Sequence, residues 1–298
     1  MNISIIIPIR IDNSARLNNL THCLSFITSH LPKAEPIVVE SDEKTKLENT
    51  RSNFNEVQFH FLDNKGRFSK SEAINYGIYQ SSRSNIAIWD VDVIIHPRAI
   101  EKACRLITEQ KFRVILPHNT IFVNIKGNLL EKFVKDFDFS LVPYVNRIKS
   151  KKNNAETEFY SIPSGVVIFE KEALMNAGGY NRNMISYGWE DIEVLKRLNK
   201  LGHHYYIMGR YNVIHLHHPR GIDSKVNPFY DKNKQEYFKV LQMKRKELKD
   251  YIRNSLYSDH IYNVAPNNDS TSNFSIFFNI VFLKCIFSRI KHKILTTI

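Results

Sequence analysis

Three short stretches of this 298-residue chain carry side chains whose types and spacing suit chemistry. The first is Asp90-Val91-Asp92, which ends the apolar run Ile86-Ala87-Ile88-Trp89. Where such a strand gives way to a turn, both carboxylates can reach one ligand. Paired carboxylates at a sheet edge suit a hard or borderline divalent cation that keeps oxygen ligands from a diphosphate. The same spacing on a solvated loop would carry no chemistry, but the position after a buried strand favours a site.

The second stretch is Gly188-Trp189-Glu190-Asp191-Ile192-Glu193. Acids in a first helical turn, with Lys196, Arg197 and Lys200 in the last turns, are what a helix dipole favours. That account leaves out Tyr187 and Trp189. Aromatic rings beside a carboxylate resemble a sugar platform with a general base, because apolar sugar faces stack on rings. A carboxylate kept partly dry there has its pKa raised towards a working range. The third stretch is Val213-Ile214-His215-Leu216-His217-His218-Pro219-Arg220. On a strand His215 and His217 share a face, so one or both can ligate a metal through imidazole.

The elements that must position these groups follow from patterning. Ile3 to Ile9 is a largely apolar run rich in β-branched isoleucine, as expected of a strand buried on both faces. Ser14 can cap a helix bearing Leu17, Leu20, Leu24 and Ile27. Short strands are expected at Pro36 to Glu40 and Val57 to Leu62, and Ser69 with Glu72 opens a helix to about Ser81. Pro97 suits a first helical position before Ala99 to Gln110. Strands are expected at Arg113 to Pro117 and Ile121 to Asn124, with extended chain from Ser161 to Phe169. Lys149 to Glu158 reads as a polar loop, and Lys232 to Tyr251 as one amphipathic helix. Strand and helix alternate through the first half, which argues for an open α/β sheet binding its ligand at the carboxyl ends of the strands.

Composition narrows the classes. The chain is 43% hydrophobic and 24% charged, with only 10 glycines and 10 prolines, a globular composition. A formal net charge of +12 asks for an anionic partner: nucleic acid, a membrane face or a phosphate-bearing substrate. The three cysteines make neither a disulfide framework nor a metal knuckle, which fits a reducing compartment. The opening residues read as a strand rather than a secretory leader, so the expected location is cytoplasmic. No phosphate loop or dinucleotide fingerprint follows the first strand.

The order of these segments resembles the GT-A-fold glycosyltransferases, especially the family-2-like enzymes and the β-1,4-galactosyltransferase and chondroitin-polymerase group. The resemblance spans roughly residues 3 to 230 and rests on several segments. They are Ile5-Ile6-Ile7-Pro8-Ile9-Arg10, Phe68 to Gly77, Trp89 to Asp92, Ser164-Gly165-Val166, Gly178 to Asn181, Gly188 to Asp191 and His215 to Arg220. It implies a single mixed, mostly parallel sheet flanked by helices, over residues 1–255. It also implies an inverting transferase that uses Mn²⁺ or Mg²⁺ to move a hexose or N-acetylhexosamine from a UDP-sugar. The acceptor would be a saccharide, free or lipid-linked, in surface polysaccharide or lipopolysaccharide synthesis.

Residue by residue, the resemblance implies that Pro8, Arg10 and Glu40 hold the nucleotide, and that Arg67 and Lys70 lie near the uracil and diphosphate. Asp90 would face the ribose and donor sugar, with Gly165 and Arg220 also on the donor side. Asp92 would bind metal with a later histidine, His215 ahead of His217. Asp191 would act as base, Glu190 would contact hydroxyls, and Tyr187 and Trp189 would receive the acceptor. One departure is plain: Trp189 abuts Glu190, where the galactosyltransferase pattern has intervening glycines. A mobile tryptophan lid and galactose specificity are therefore not carried over.

Residues 256–298 form an appendage. Its apolar run from Phe274 to Phe287, followed by Arg289, Lys291 and Lys293, is too short to span a bilayer. It suits an interfacial helix on anionic lipid at the inner face of the cell membrane, or a docked helix. A nucleotidyltransferase and a non-catalytic nucleic-acid binder are the competing classes. The first lacks its glycine-rich basic segment in Ile11 to Leu20, and the second lacks a recognisable module, so no nucleic-acid partner is expected.

Overall fold

A computed structural model of the protein describes residues 1–147, 153–219 and 227–256. Arg220 and the apolar tail segment lie outside the described residues. The strands, in chain order, are β1 (Ile3–Ile9), β2 (Glu35–Asp42), β3 (Gln58–Asp63), β4 (Asn85–Trp89), β5 (Val93–Ile94) and β6 (Val114–Leu116). They continue with β7 (Ile121–Ile125), β8 (Thr157–Ser161), β9 (Val166–Glu170), β10 (Tyr205–Ile207) and β11 (Val213–Leu216). The helices are α1 (Ser14–His30), α2 (Glu48–Asn53), α3 (Lys70–Gln80), α4 (Pro97–Thr108), α5 (Gly127–Asp136), α6 (Lys171–Asn176), α7 (Glu190–Lys200), α8 (Tyr230–Gln242) and α9 (Arg245–Tyr251).

Seven strands form the main sheet in the order β10-β6-β9-β4-β1-β2-β3, parallel except where β9 runs against β4 and β6. All seven residues of β1 are buried, Ser4 among them. Ile3, Ile5, Ile7 and Ile9 pack on one side with Leu20, Leu24 and Ile27 of α1, while Ile6 packs on the other with Ile74 of α3 and Leu198 of α7. A buried side chain of this size is worth about 1.5–3 kcal/mol against exposure, so β1 anchors both layers.

A second sheet, in the order β5-β11-β7-β8, corrects the expectation of a single sheet. Its short strands lie beyond the Asp90-Asp92 turn, and β11 pairs with β5 through His215 opposite Val93. Three boundaries also differ. Asn13 rather than Ser14 caps α1, accepting from the Arg16 amide at 2.9 Å. The expected long C-terminal helix is broken at Met243 into α8 and α9. Thr157 already belongs to β8, so the polar loop ends sooner than expected.

Arg197 is not a solvated complement to the α7 dipole. It is fully buried with Glu193, donating from Nε to that carboxylate at 2.8 Å and from Nη2 to the Gly179 carbonyl at 2.8 Å. It also donates to the Ala177 carbonyl. The pair therefore fixes the turn joining α6 to the segment before α7. Arg197→Met is expected to lower stability by about 3–5 kcal/mol in urea denaturation, because Glu193 would be left buried and charged. Pairing it with Glu193→Leu should recover most of that loss.

Candidate active site

The buried Trp89 ends β4, and its indole N–H donates to the Val93 carbonyl at 2.8 Å. The Val93 amide donates back to the Asp90 carbonyl at 3.2 Å, which folds Asp90 to Asp92 into a tight turn. The Asp90 amide is held by the Gly165 carbonyl at 2.8 Å. Gly165 has φ +90°, and a Cβ there would lie 2.7 Å from the Phe122 ring. Its contribution is this carbonyl and this close packing; it does not line the cleft.

Register then brings the histidines in. The Leu216 amide donates to the Asp92 carbonyl at 2.8 Å, so β11 ends beside the carboxylate turn. Asp92 Oδ2 lies 2.7 Å from His218 Nε2 and 3.6 Å from His215 Nε2. Ligand atoms of Asp92, His215 and His218 all fall within 4.8 Å of one another. His217 does not join them. β11 stops at Leu216, alternation stops with it, and His217 turns to Asn124, whose Nδ2 is 3.3 Å from its Nδ1. Burial disfavours ionisation of Asp92, but the charges and hydrogen bonds of His215 and His218 outweigh it and hold the carboxyl well below its usual range. Burial lowers the basicity of His218, yet its bond and attraction to Asp92 raise it overall. One carboxylate and two imidazoles make a donor set for a borderline divalent ion.

Beside it a single ammonium faces three carboxylates; Lys70 and Asp90 line the cleft, whereas Glu190 and Asp191 are not among its lining residues. Lys70 Nζ lies 2.9 Å from Asp90 Oδ1, 2.9 Å from Asp191 Oδ2 and 3.3 Å from Glu190 Oε1. Burial works against its charge, but Asp191, Asp90 and Glu190 together push its pKa well above normal. One ammonium cannot neutralise three acids, and burial raises the pKa of Asp90, Glu190 and Asp191 despite its attraction. Asp191 also accepts from the Tyr180 hydroxyl at 3.2 Å. Glu190 accepts from the Gly188 amide at 2.7 Å, which ties it to its own loop.

The cleft has a volume of about 660 Å³ and is lined by Pro8, Arg10, Lys70, Asp90, Asp92 and Tyr187, among others. Several expected roles change. Glu40 lies inside β2, two residues before its end, and its carboxylate accepts from the Thr45 hydroxyl at 2.7 Å and the Lys46 amide at 2.9 Å. Arg10 reaches the cleft but donates to the carbonyls of Ser41, Gly66 and Asn64 at 2.7–3.0 Å, clamping three strand-end segments. Arg67 does not line the cleft, and its carbonyl accepts from Asn64. Lys70 belongs to the acids rather than to an open phosphate site. Trp189 has φ +76° and turns its ring onto α8, 5.2 Å from Tyr237 and 5.9 Å from Tyr230 between centroids, so it forms no cleft wall.

The family model described as glycosyltransferase-like family 2 matches residues 4–218. The chain belongs to this family. No curated protein matches the sequence. Among solved structures, S. aureus TarS is similar at 16% identity and a TM-score of 0.49, over 85% of this chain and 42% of that one. The catalytic domain of Drosophila β1,4-galactosyltransferase 7, in complex with xylobiose, shares 13% identity at a TM-score of 0.47, over 88% of this chain and 84% of that one. A mutant of the Drosophila enzyme in complex with manganese, UDP-Gal and xylobiose gives 13% and 0.44, over 72% and 71%. This chain thus spans less than half the length of TarS.

The architecture is a GT-A-like α/β fold, with a mixed, mostly parallel sheet flanked by helices. In this family-2 glycosyltransferase chain the cleft also holds residues that the sequence reading leaves out. Asp12 and Arg16, paired at 3.0 Å, line it just after β1. Their signal in the sequence is an Asp-x-x-x-Arg spacing at the start of a helix. Asn124, Glu158 and Tyr160 line the far side from the second sheet.

Proposed function

We propose that the chain is a metal-dependent inverting glycosyltransferase that moves a hexose or N-acetylhexosamine from a UDP-sugar to a saccharide acceptor. The observation carrying this reading is that the metal-competent set and the partly dry acid Asp191 belong to one constellation. Asp90 stands two residues from Asp92 and shares Lys70 with Asp191. Asp92, His215 and His218 would hold the ion. With two imidazoles among three donors, Mn²⁺ fits better than Mg²⁺, which favours an oxygen shell.

When bound, the ion supplies neutralisation of the charge that develops on the leaving diphosphate. Asp90 and Lys70 bind and orient donor hydroxyls. Asp191 takes the proton of the acceptor hydroxyl onto a carboxylate oxygen as that hydroxyl attacks the anomeric carbon from the face opposite the diphosphate. Tyr180 and Lys70 keep the carboxylate aimed, and Tyr187 shields the reacting centre on the cleft wall.

UDP with Mn²⁺ is expected to raise the melting temperature, and Asp92→Ala should abolish that shift. A screen of α-linked UDP-sugars should then give a β-linked product by NMR; an α linkage overturns the inverting mechanism. A lipid-linked acceptor, in surface polysaccharide or lipopolysaccharide synthesis, would place the enzyme at the inner membrane face. Among the described residues no helix is long and apolar enough to cross a membrane. Residues 274–293 would supply the membrane contact. Loss of vesicle flotation on deleting residues 270–298 is the expected result.

A further inference from the structure

We infer that Asn124 is a positioning residue that sorts the two neighbouring histidines, fixing His215 as the one able to ligate a metal and His217 as the one that cannot. The inference rests on the metal role proposed for Asp92, His215 and His218. Asn124 is buried at 4% exposure on β7, directly opposite His215 in the parallel β7–β11 register. Its Oδ1 lies 2.8 Å from His215 Nδ1. Its Nδ2 donates to Glu158 Oε2 at 2.9 Å and lies 3.3 Å from His217 Nδ1.

Glu158 decides which way round the amide sits. Its other oxygen is bound to Lys126 Nζ at 2.9 Å, so it is a carboxylate and only accepts. Reversing the amide would set Oδ1 against that carboxylate and leave two acceptors facing each other. With Nδ2 committed to Glu158, Oδ1 must accept, and the only proton that His215 can offer it is on Nδ1. The neutral ring then carries its lone pair on Nε2, the atom turned towards Asp92. The second Nδ2 proton requires a lone pair on His217 Nδ1, so the neutral His217 ring carries its proton on Nε2. One amide thus gives the two rings opposite tautomers. A ligating histidine is commonly fixed through its other nitrogen by such a partner. Here the fixing group is itself oriented from β8, by Glu158, which Lys126 holds in turn.

The test begins with the metal-free wild-type protein. Long-range ¹H–¹⁵N spectra of ¹⁵N-histidine protein, with His215 and His217 assigned by His→Gln variants, should show His215 protonated at Nδ1 and His217 at Nε2. The opposite pattern overturns the inference without reference to any metal. Mn²⁺ binding, followed by loss of the free-ion electron paramagnetic resonance signal with and without UDP, gives the second readout. Asn124→Leu should weaken Mn²⁺ binding by about 10–100-fold, the usual consequence of losing a group that holds a ligand from behind. The exchanged pair Asn124→Asp with Glu158→Gln keeps an acceptor at His215 Nδ1 and moves the donor of the 124–158 bond to position 158, and should restore affinity to within about threefold. An exchanged pair as weak as Asn124→Leu, or Asn124→Leu with unchanged affinity, sinks the inference. A failed donor assay with the tautomers as stated would instead count against the glycosyltransferase mechanism alone.

Discussion

Asp191→Asn is expected to reduce kcat by roughly 10²–10⁴-fold, the contribution of a positioned general base. The Mn²⁺–UDP thermal shift should survive, since Asp191 is no part of the Asp92, His215 and His218 set. The pH profile carries the second half of the prediction. Burial raises the Asp191 pKa and Lys70 only partly opposes it, so the acid limb of kcat should lie above the ordinary aspartate value of about 3.9. Only the deprotonated carboxylate can accept the hydroxyl proton. The rate therefore falls as pH drops through that limb, and the asparagine variant should lose the limb along with the rate. Glu190→Gln makes the comparison informative. Glu190 is more deeply buried and is tied to the Gly188 amide, so its loss should lower stability more and kcat less. Initial rates across pH, with donor saturating, decide between the two acids. A kcat for Asp191→Asn within tenfold of wild type would move the base elsewhere.

Local pattern and tertiary contact divide what was legible in the chain. The buried first strand, the Asp90-Asp92 turn and the acids opening α7 could be read because each follows from a period or a break within about ten residues. His218 could not: strand alternation pointed to His217, and that rule lapses once β11 ends at Leu216. Glu40 was misplaced for the converse reason, because β2 runs on to Asp42 and carries Glu40 back from the sheet edge. Lys70 meets Asp191 across 121 positions of sequence, and no local spacing encodes a pair that distant. Basic residues near a diphosphate enzyme's cleft invite a phosphate assignment, yet the nearest anions to Lys70 are the protein's own. Trp189 likewise seemed a sugar platform by type, but its left-handed backbone aims the ring at α8. The second sheet went unseen because its strands pair across long stretches of sequence, β11 with β7 and with β5, and no local period encodes partners that distant.

Lys70→Met is expected to remove both activity and a large part of the stability, with a pH dependence opposite to ordinary acid denaturation. Lys70 is the cation within 3.3 Å of Asp90, Glu190 and Asp191, and its side chain is only 9% exposed. Breaking a buried ion pair from one side costs about 3–5 kcal/mol, because the abandoned charges cannot regain water. Methionine preserves the bulk of the stem, so a loss of packing cannot account for a cost that size. In the variant the acids would have folded-state pKa values raised still further above their unfolded ones. The sign follows from linkage: for such groups stability is fully present below the unfolded pKa and is lost as pH rises through the folded pKa. Lys70→Met should therefore be more stable near pH 5 than near pH 8, while the wild type, whose ammonium offsets part of the repulsion, should change less over that interval. Urea midpoints at the two pH values give the measurement, and a variant equally destabilised at both would show that Lys70 acts through packing rather than charge. Adding Glu190→Gln to Lys70→Met removes one uncompensated acid and should recover part of the stability at pH 8 but little at pH 5. It should not restore turnover, since donor hydroxyls would still lack the ammonium and Asp191 would lose the contact that aims it.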